Sequence, residues 1–170
     1  FNSFPSFFKR SGNRNYSKIY KVNMKLNLRK AVISDKKLLY DLVLELSNPK
    51  ILKETIFNDF FENILELKSS DIWVFENKED IIGYALVNRS VQLRYLGFVV
   101  EIEEIVVSKK FRRKGYGEKF IYLLKEEYKS DLNCRKLGIK TNDLNGSARL
   151  YRRLFDETDL IYFQIFLNRI

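Results

Sequence analysis

The chain contains no histidine. That absence excludes serine–histidine and cysteine–histidine catalysis, histidine proton shuttles and the commonest zinc ligand sets. Its single cysteine, Cys134, can form no internal disulfide and no thiol cluster for a metal, so no metal is expected and a reducing compartment, the cytoplasm, is the expected location. Two prolines in 170 residues exclude collagen-like and proline-rich classes. No apolar run reaches the length of a membrane-spanning helix, and no membrane partner is expected. Acidic residues are missing altogether from residues 1–23, which carry Lys9, Arg10, Arg14, Lys18 and Lys21. With no continuous apolar stretch for a secretory core, that segment reads either as a flexible basic extension or as an organelle-targeting presequence.

Hydrophobic residues make up 45% of the chain and aromatic ones 15%, enough to bury one core of ordinary domain size over residues 24–170. The net charge is +9, and the five bases of the extension leave +4 for the rest. A second basic cluster, Lys109, Lys110, Arg112, Arg113 and Lys114, surrounds two glycines and creates a local positive potential for an anion. Nucleic acid is the rival partner, but no zinc-finger spacing, aromatic RNA-binding signature or basic helical stripe accompanies the cluster.

Periodicity gives the order of elements. Residues 26–31 read as a strand, and Ser34 or Asp35 can cap a helix whose face carries Leu38, Leu39, Leu42, Val43 and Leu46, stopped by Asn48-Pro49. A second helix follows, with Ile56, Phe57, Phe60, Phe61, Ile64 and Leu65 at helical spacing. The period then changes to β, with runs at 72–75 and 81–87 around the polar turn Asn77-Lys78-Glu79-Asp80. A longer strand at 98–107 leads into the basic glycine loop. A helix at 118–128, a strand at 136–140, a short helix at 146–154 and a last strand at 161–167 complete an α+β plan with a mostly antiparallel sheet.

The sharpest local feature is VVSKKFRRKGYGEKF, where an apolar strand ends, a basic loop holds two glycines and a helix begins. Glycines let backbone N–H groups converge on phosphate oxygens, and the helix adds the positive end of its dipole. An ordinary basic turn would use the same residues. A Walker loop is excluded because Lys114 precedes Gly115, and the dinucleotide fingerprint needs a third glycine.

Arg112, Gly115 and Gly117, preceded by the strand EIEEIVV, resemble the Arg/Gln-x-x-Gly-x-Gly/Ala motif of the GNAT superfamily of acyl-CoA N-acyltransferases. The resemblance implies a mixed, mostly antiparallel twisted sheet of six to seven strands flanked by about four helices. It implies acetyl-CoA as cosubstrate, its pyrophosphate on Arg112, Arg113, Lys114, Gly115, Tyr116 and Gly117, and its pantetheine arm along the backbone of Ile105, Val106 and Val107. The segment TNDLNGSARLYRRLF resembles the family's second coenzyme motif, with Asn142 or Asn145, Ala148 and Tyr151. By that resemblance Tyr151 protonates the departing thiolate, where a donated hydrogen bond meets developing charge. The step from Ala148 to Tyr151 is one residue shorter than in the family. A slip of one residue turns a helical side chain by about 100°, so Tyr151 points either to the sulfur or to the core.

A row of carboxylates, Glu101, Glu103 and Glu104, supplies candidate bases. An alkyl amine with a pKa of about 10.4 is almost wholly protonated at neutral pH and must lose a proton before it attacks. Strict alternation puts Glu101 and Glu103 on one face and Glu104 on the other, although the family's bulge in this strand shifts that parity. Glu104 aligns best with the family's glutamate and is the expected base. The alternative nucleophile, Cys134, has no histidine to activate it.

Residues 91–124 look closest to the small-molecule branch that includes aminoalkylphosphonate and glucosamine-6-phosphate N-acetyltransferases. This makes glucosamine 6-phosphate the leading expected acceptor, with Arg89, Arg94 and Arg149 as candidates for its anion. Acetylation of a protein or peptide, and a coenzyme-binding module without catalysis, are the alternatives. The aromatic connection at 90–98 is expected to form either a pocket wall or a homodimer contact.

Overall fold

Five strands run β1 Asn27–Lys30, β2 Ser70–Glu76, β3 Ile81–Gln92, β4 Gly97–Val107 and β5 Cys134–Ile139, and they lie in that order across one sheet. All neighbours are antiparallel except β4 and β5, which are parallel and joined by the crossover helix that parallel pairing demands. The computed structural model describes residues 26–46, 52–141 and 143–158. The basic extension, the Asn48-Pro49 stop, Asn142 and the strand expected at 161–167 lie outside the described residues. Within them the strand number is five, against the six to seven expected, and the α-helices number four.

The run Ile72-Trp73-Val74-Phe75 is apolar throughout because β2 is covered on both faces. Ile72 and Val74 pack with Leu39 and Leu42 of α1 (Lys36–Val43) and with Phe61 and Ile64 of α2 (Glu54–Glu66). Trp73 and Phe75 pack with Phe120, Leu124 and Tyr128 of α3 (Tyr116–Lys129) on the opposite side. β3 extends five residues beyond the expected 81–87, because its polar end still finds a ladder partner in β4 from Asn88↔Glu101 to Gln92↔Gly97. In the β2–β3 turn the Asn77 side chain accepts from the N–H groups of Glu79 (2.8 Å) and Asp80 (2.7 Å), the local bond that makes asparagine a turn residue.

Two helix expectations need correction. The Asp35 carboxylate does not cap α1. It turns back to accept from Val32 N–H (2.8 Å) and from both terminal nitrogens of Arg29 (2.7 and 2.9 Å), because a buried carboxylate needs charged partners. The apolar faces are also wider than the sheet can cover, so Leu38 and Leu46 of the first helical region and Ile56 and Phe60 of α2 stay exposed.

A bulge in β4 decides the faces. Leu86 lies opposite Glu104 and Val87 opposite Ile102, which leaves Glu103 as the extra residue. Val100 and Ile102 pack on the α3 side, and beyond the bulge Ile105 and Val107 do too, while Val106 packs on the α1/α2 side. Glu101 and Glu104 therefore share the α1/α2 face. The assignment by strict alternation, with those two on opposite faces, is overturned by that one inserted residue.

Candidate active site

Glu104 sits where β4 passes under the two N-terminal helices. Its Oε2 accepts from the hydroxyl of Tyr84, diagonally across on β3 and opposite Val106, at 2.8 Å. Tyr84 is only 3% exposed. Burial, then the Glu104 charge, hold its hydroxyl far above the usual tyrosine range, so it remains a donor at any physiological pH. Both side chains border a cavity of about 180 Å³ whose other walls are apolar, among them Leu39 and Val43 of α1, Phe57 and Phe60 of α2, and Leu86. Glu101 points to the same face but is engaged with Lys136 at 3.6 Å. Its carboxylate lies so close over Gly138 that a Cβ there would be 2.6 Å away. Glu103, the bulged residue, is exposed.

Beyond Val107 one 3-10 turn, Lys109–Phe111, leads into the glycine loop. Arg113 (φ 60°) and Gly115 (φ 80°) are both left-handed, and such alternation turns successive N–H groups toward a common centre. Among the described residues no backbone acceptor is bonded to the N–H groups of Arg113, Lys114, Gly115, Gly117 or Glu118, and no side chain caps α3. A Cβ built at Gly115 would meet nothing within 4 Å. Open donors at the positive end of a 14-residue helix fit a diphosphate. Of the loop side chains, Tyr116 is buried against Phe75 and Phe111, so only its backbone faces the loop. Arg112 donates to Val107 O (2.8 Å) and pairs with Glu45 (2.7 Å), which also accepts from Lys109 N–H. Arg112 thus ties the loop to the turn after α1. Lys114 reaches Lys110 O at 3.0 Å, and Arg113 is exposed.

β4 and β5 part beyond the Ile102–Ile139 pair, because β5 ends there while β4 continues to Val107. Among the described residues, the edge of β4 from Glu103 to Val107 that faces away from β3 has no strand partner. Ile105, Val106 and Val107 lie on it, an edge that an amide-bearing chain can pair with.

The helix α4 (Ser147–Leu154) packs beside the start of α3. Its start is held by Asp143, which accepts from Gly146 N–H (2.9 Å) and Ser147 N–H (2.8 Å). Leu150 lies 3.5 Å from where a Gly117 Cβ would be, and Arg153 pairs with Glu118 at 3.3 Å, so α4 abuts the start of α3. Asn145 is exposed in the turn before α4. Tyr151 is half-buried, its ring edge-on to Phe155 at 6.3 Å. Burial raises its hydroxyl above the usual range, against a hydrogen bond from Ser147. It is not among the residues lining the cavity that holds Glu104.

Sequence reasoning missed Tyr84, whose role depends on a cross-strand pairing, and Asp143, for which the Asp-Leu-Asn-Gly-Ser run before a helix was a readable capping signal. It offered Arg89 for a substrate anion, but Arg89 is paired with Asp71 at 2.7 Å. Arg94 stacks over Tyr95, and Arg149 is exposed on α4. The connection at 90–98 does not line the cavity. It exposes Val91, Leu93 and Leu96. None of the helices in the described residues is long and apolar enough to cross a membrane.

No curated protein sequence matches the chain. Among solved structures it is similar to a possible acetyltransferase from Clostridium difficile 630, with TM-score 0.74 and 17% identity over 85% of this chain and 99% of that one. It is similar to glucosamine-6-phosphate N-acetyltransferase from Arabidopsis thaliana, with TM-score 0.67 and 25% identity over 84% of this chain and 99% of that one. A third similar fold is ribosomal-protein-alanine N-acetyltransferase from Brucella melitensis biovar Abortus 2308, with TM-score 0.71 and 13% identity over 84% and 99%. The family model described as Acetyltransferase (GNAT) family matches residues 39–156. With that match, the open loop amides and the parted strands, the chain belongs to the GNAT family and is an acetyl-CoA-dependent N-acetyltransferase.

Proposed function

We propose that the protein transfers acetyl from acetyl-CoA directly to a primary amine of a small molecule held between α1, α2 and the sheet, with Glu104 as base. One observation carries the reading: the bulge at Glu103 turns Glu104 into the cavity on the same strand whose free edge leads to the glycine loop. The amine arrives as an ammonium ion and gives one proton to the Glu104 carboxylate. Its lone pair then forms the N–C bond as the C–S bond breaks, and Tyr151 supplies the proton that the sulfur takes. The second proton of the nitrogen returns to Tyr151 through water. The Tyr84 hydroxyl fixes the carboxylate's orientation. Loop amides from Arg113 to Glu118 hold the diphosphate, and backbone amides near Ile105 polarise the thioester carbonyl.

A direct route is supported by the state of Cys134. Its thiol is half-buried, burial pushes it up, and its sulfur rests against Lys136 O at 3.7 Å. The lone cysteine also suits a cytoplasmic location. Glucosamine 6-phosphate, the leading acceptor expected from the sequence, is one such amine, supported by the 25% identity to the Arabidopsis enzyme. A homodimer contact at the exposed tip of Val91, Leu93 and Leu96 is part of the proposal.

Release of CoA thiol from acetyl-CoA across a panel of amines tests the reading. Glu104→Gln is expected to lower kcat by about two to four decades while leaving the KM for acetyl-CoA unchanged. Full activity in that variant removes Glu104 from the role. Cys134→Ser retains turnover, and its loss would instead indicate an acyl-enzyme.

A further inference from the structure

The chemistry of the cavity wall narrows the acceptor. Among the described residues its polar side chains are two, the Tyr84 hydroxyl and the Glu104 carboxylate, and they touch each other at 2.8 Å. Among the described residues no lysine or arginine lines it. A sugar phosphate bound there would bury several hydroxyls and a dianion against leucine, isoleucine and phenylalanine, beside a carboxylate that repels it. Each hydroxyl buried there without a partner is unfavourable, and an unpaired charge far more so. The arginine nearest in sequence register, Arg89, is already committed to Asp71.

The same wall suits a different molecule. A cavity of about 150 Å³ lined by leucine, isoleucine and phenylalanine is large enough for benzene, and this open-sided one measures about 180 Å³. The carboxylate at one end supplies the charge complement for an ammonium group, and Phe57 and Phe60 offer ring faces.

We infer that the acceptor is a primary amine carrying an apolar group about the size of one aromatic ring, its nitrogen at Glu104 and Tyr84 and its ring between α1, α2 and β3. This rests on the acetyl transfer proposed above and names the class of substrate for that site. Phe60, 63% exposed at the cavity's outer wall, is a specificity residue because it covers the ring without supporting the core.

The test uses the full chain and two measurements. Thiol release is followed with phenethylamine, spermidine, glucosamine 6-phosphate and a short peptide with a free N-terminus. Binding of phenethylamine in the presence of CoA is measured separately by calorimetry. The expected result is a kcat/KM for phenethylamine at least tenfold above each of the others. Phe60→Ala should then raise the phenethylamine KM several-fold and leave the acetyl-CoA KM unmoved. Preferred acetylation of glucosamine 6-phosphate, spermidine or the peptide overturns the inference while acetyl transfer stands. Binding of phenethylamine with no thiol released from any amine keeps the apolar site and overturns the catalytic reading. Absence of phenethylamine binding overturns the inference outright.

Discussion

The two faces of the sheet are filled in different ways. On the α3 side Phe75, Phe120, Val87, Val100 and Leu124 are fully buried, with the Phe75 and Phe120 rings stacked at 4.9 Å. The polar groups there are paired in a chain, from Trp73 Nε1 to the Tyr128 hydroxyl (2.8 Å) and on to Asp71 (3.1 Å), which also holds Lys30 and Arg89. On the α1/α2 side the helices leave a cavity of about 180 Å³ and put Ile56 and Phe60 into solvent. Close packing stabilises, and an unfilled volume forfeits dispersion contacts. Both faces therefore carry core residues, but only the α1/α2 face keeps an unfilled volume beside Glu104, and substitutions at that volume's outer wall should affect different properties from those on the α3 face.

The largest test of that separation is Phe120→Ala. Removing a fully buried ring from the stacked pair is expected to cost about 3–5 kcal/mol, read as a lowered urea midpoint. A loss under about 1 kcal/mol would mean that the α3 face is not the stabilising one.

Asp71→Asn comes next. Burial pushes the Asp71 carboxyl up, but the Lys30 ammonium and the Arg89 guanidinium more than offset it, so its pKa is lowered below the ordinary 3.8. A lowered folded-state pKa contributes stability that is present above the ordinary value and lost as pH falls through the folded one. The variant should be less stable by about 1.5–3 kcal/mol near neutral pH, and its deficit should shrink as the medium is acidified below that ordinary value. A deficit that stays constant down to strong acid would place Asp71 outside the network's charge balance.

How far the sequence reveals this division depends on the range of each signal. Local signals were readable. The switch of period from 3.6 to 2 after Leu67 marked the helices and strands, and the two glycines beside five bases marked the loop. The bulge was not placed by alternation, because it is a property of two strands in register, Leu86 against Glu104 and Val87 against Ile102. Tyr84 was invisible for the same reason, since its partner lies 20 residues away. Arg29 and Asp35 read as an ordinary strand residue and a cap, and only the fold shows that they neutralise each other. Apolar spacing on α1 and α2 was legible, but which residues of the stripe meet the sheet is set by packing, so Phe60 read as core and stands outside it.

Gly115→Ala addresses the loop at the edge of the two faces. A non-glycine residue at φ 80° costs about 1–2 kcal/mol, and the added Cβ meets nothing in the protein itself. The stability loss should be confined to that range. The KM for acetyl-CoA should rise, because the methyl group occupies the open space from which a diphosphate would approach the loop amides. An unchanged KM would remove Gly115 from coenzyme binding.

The smallest expected effect is the most discriminating. Phe60 is exposed and borders the cavity. Phe60→Ala should shift stability by no more than about 0.5 kcal/mol, the usual range for a surface position, measured in the same urea titration as Phe120→Ala. An exposed ring at a solvent-facing helix position orders water around its apolar surface at some cost. If its removal leaves the fold unchanged, the ring's contribution must come from an occupant of the cavity. A loss above about 1 kcal/mol would instead make Phe60 part of the α1/α2 packing, and the two faces would differ in degree only.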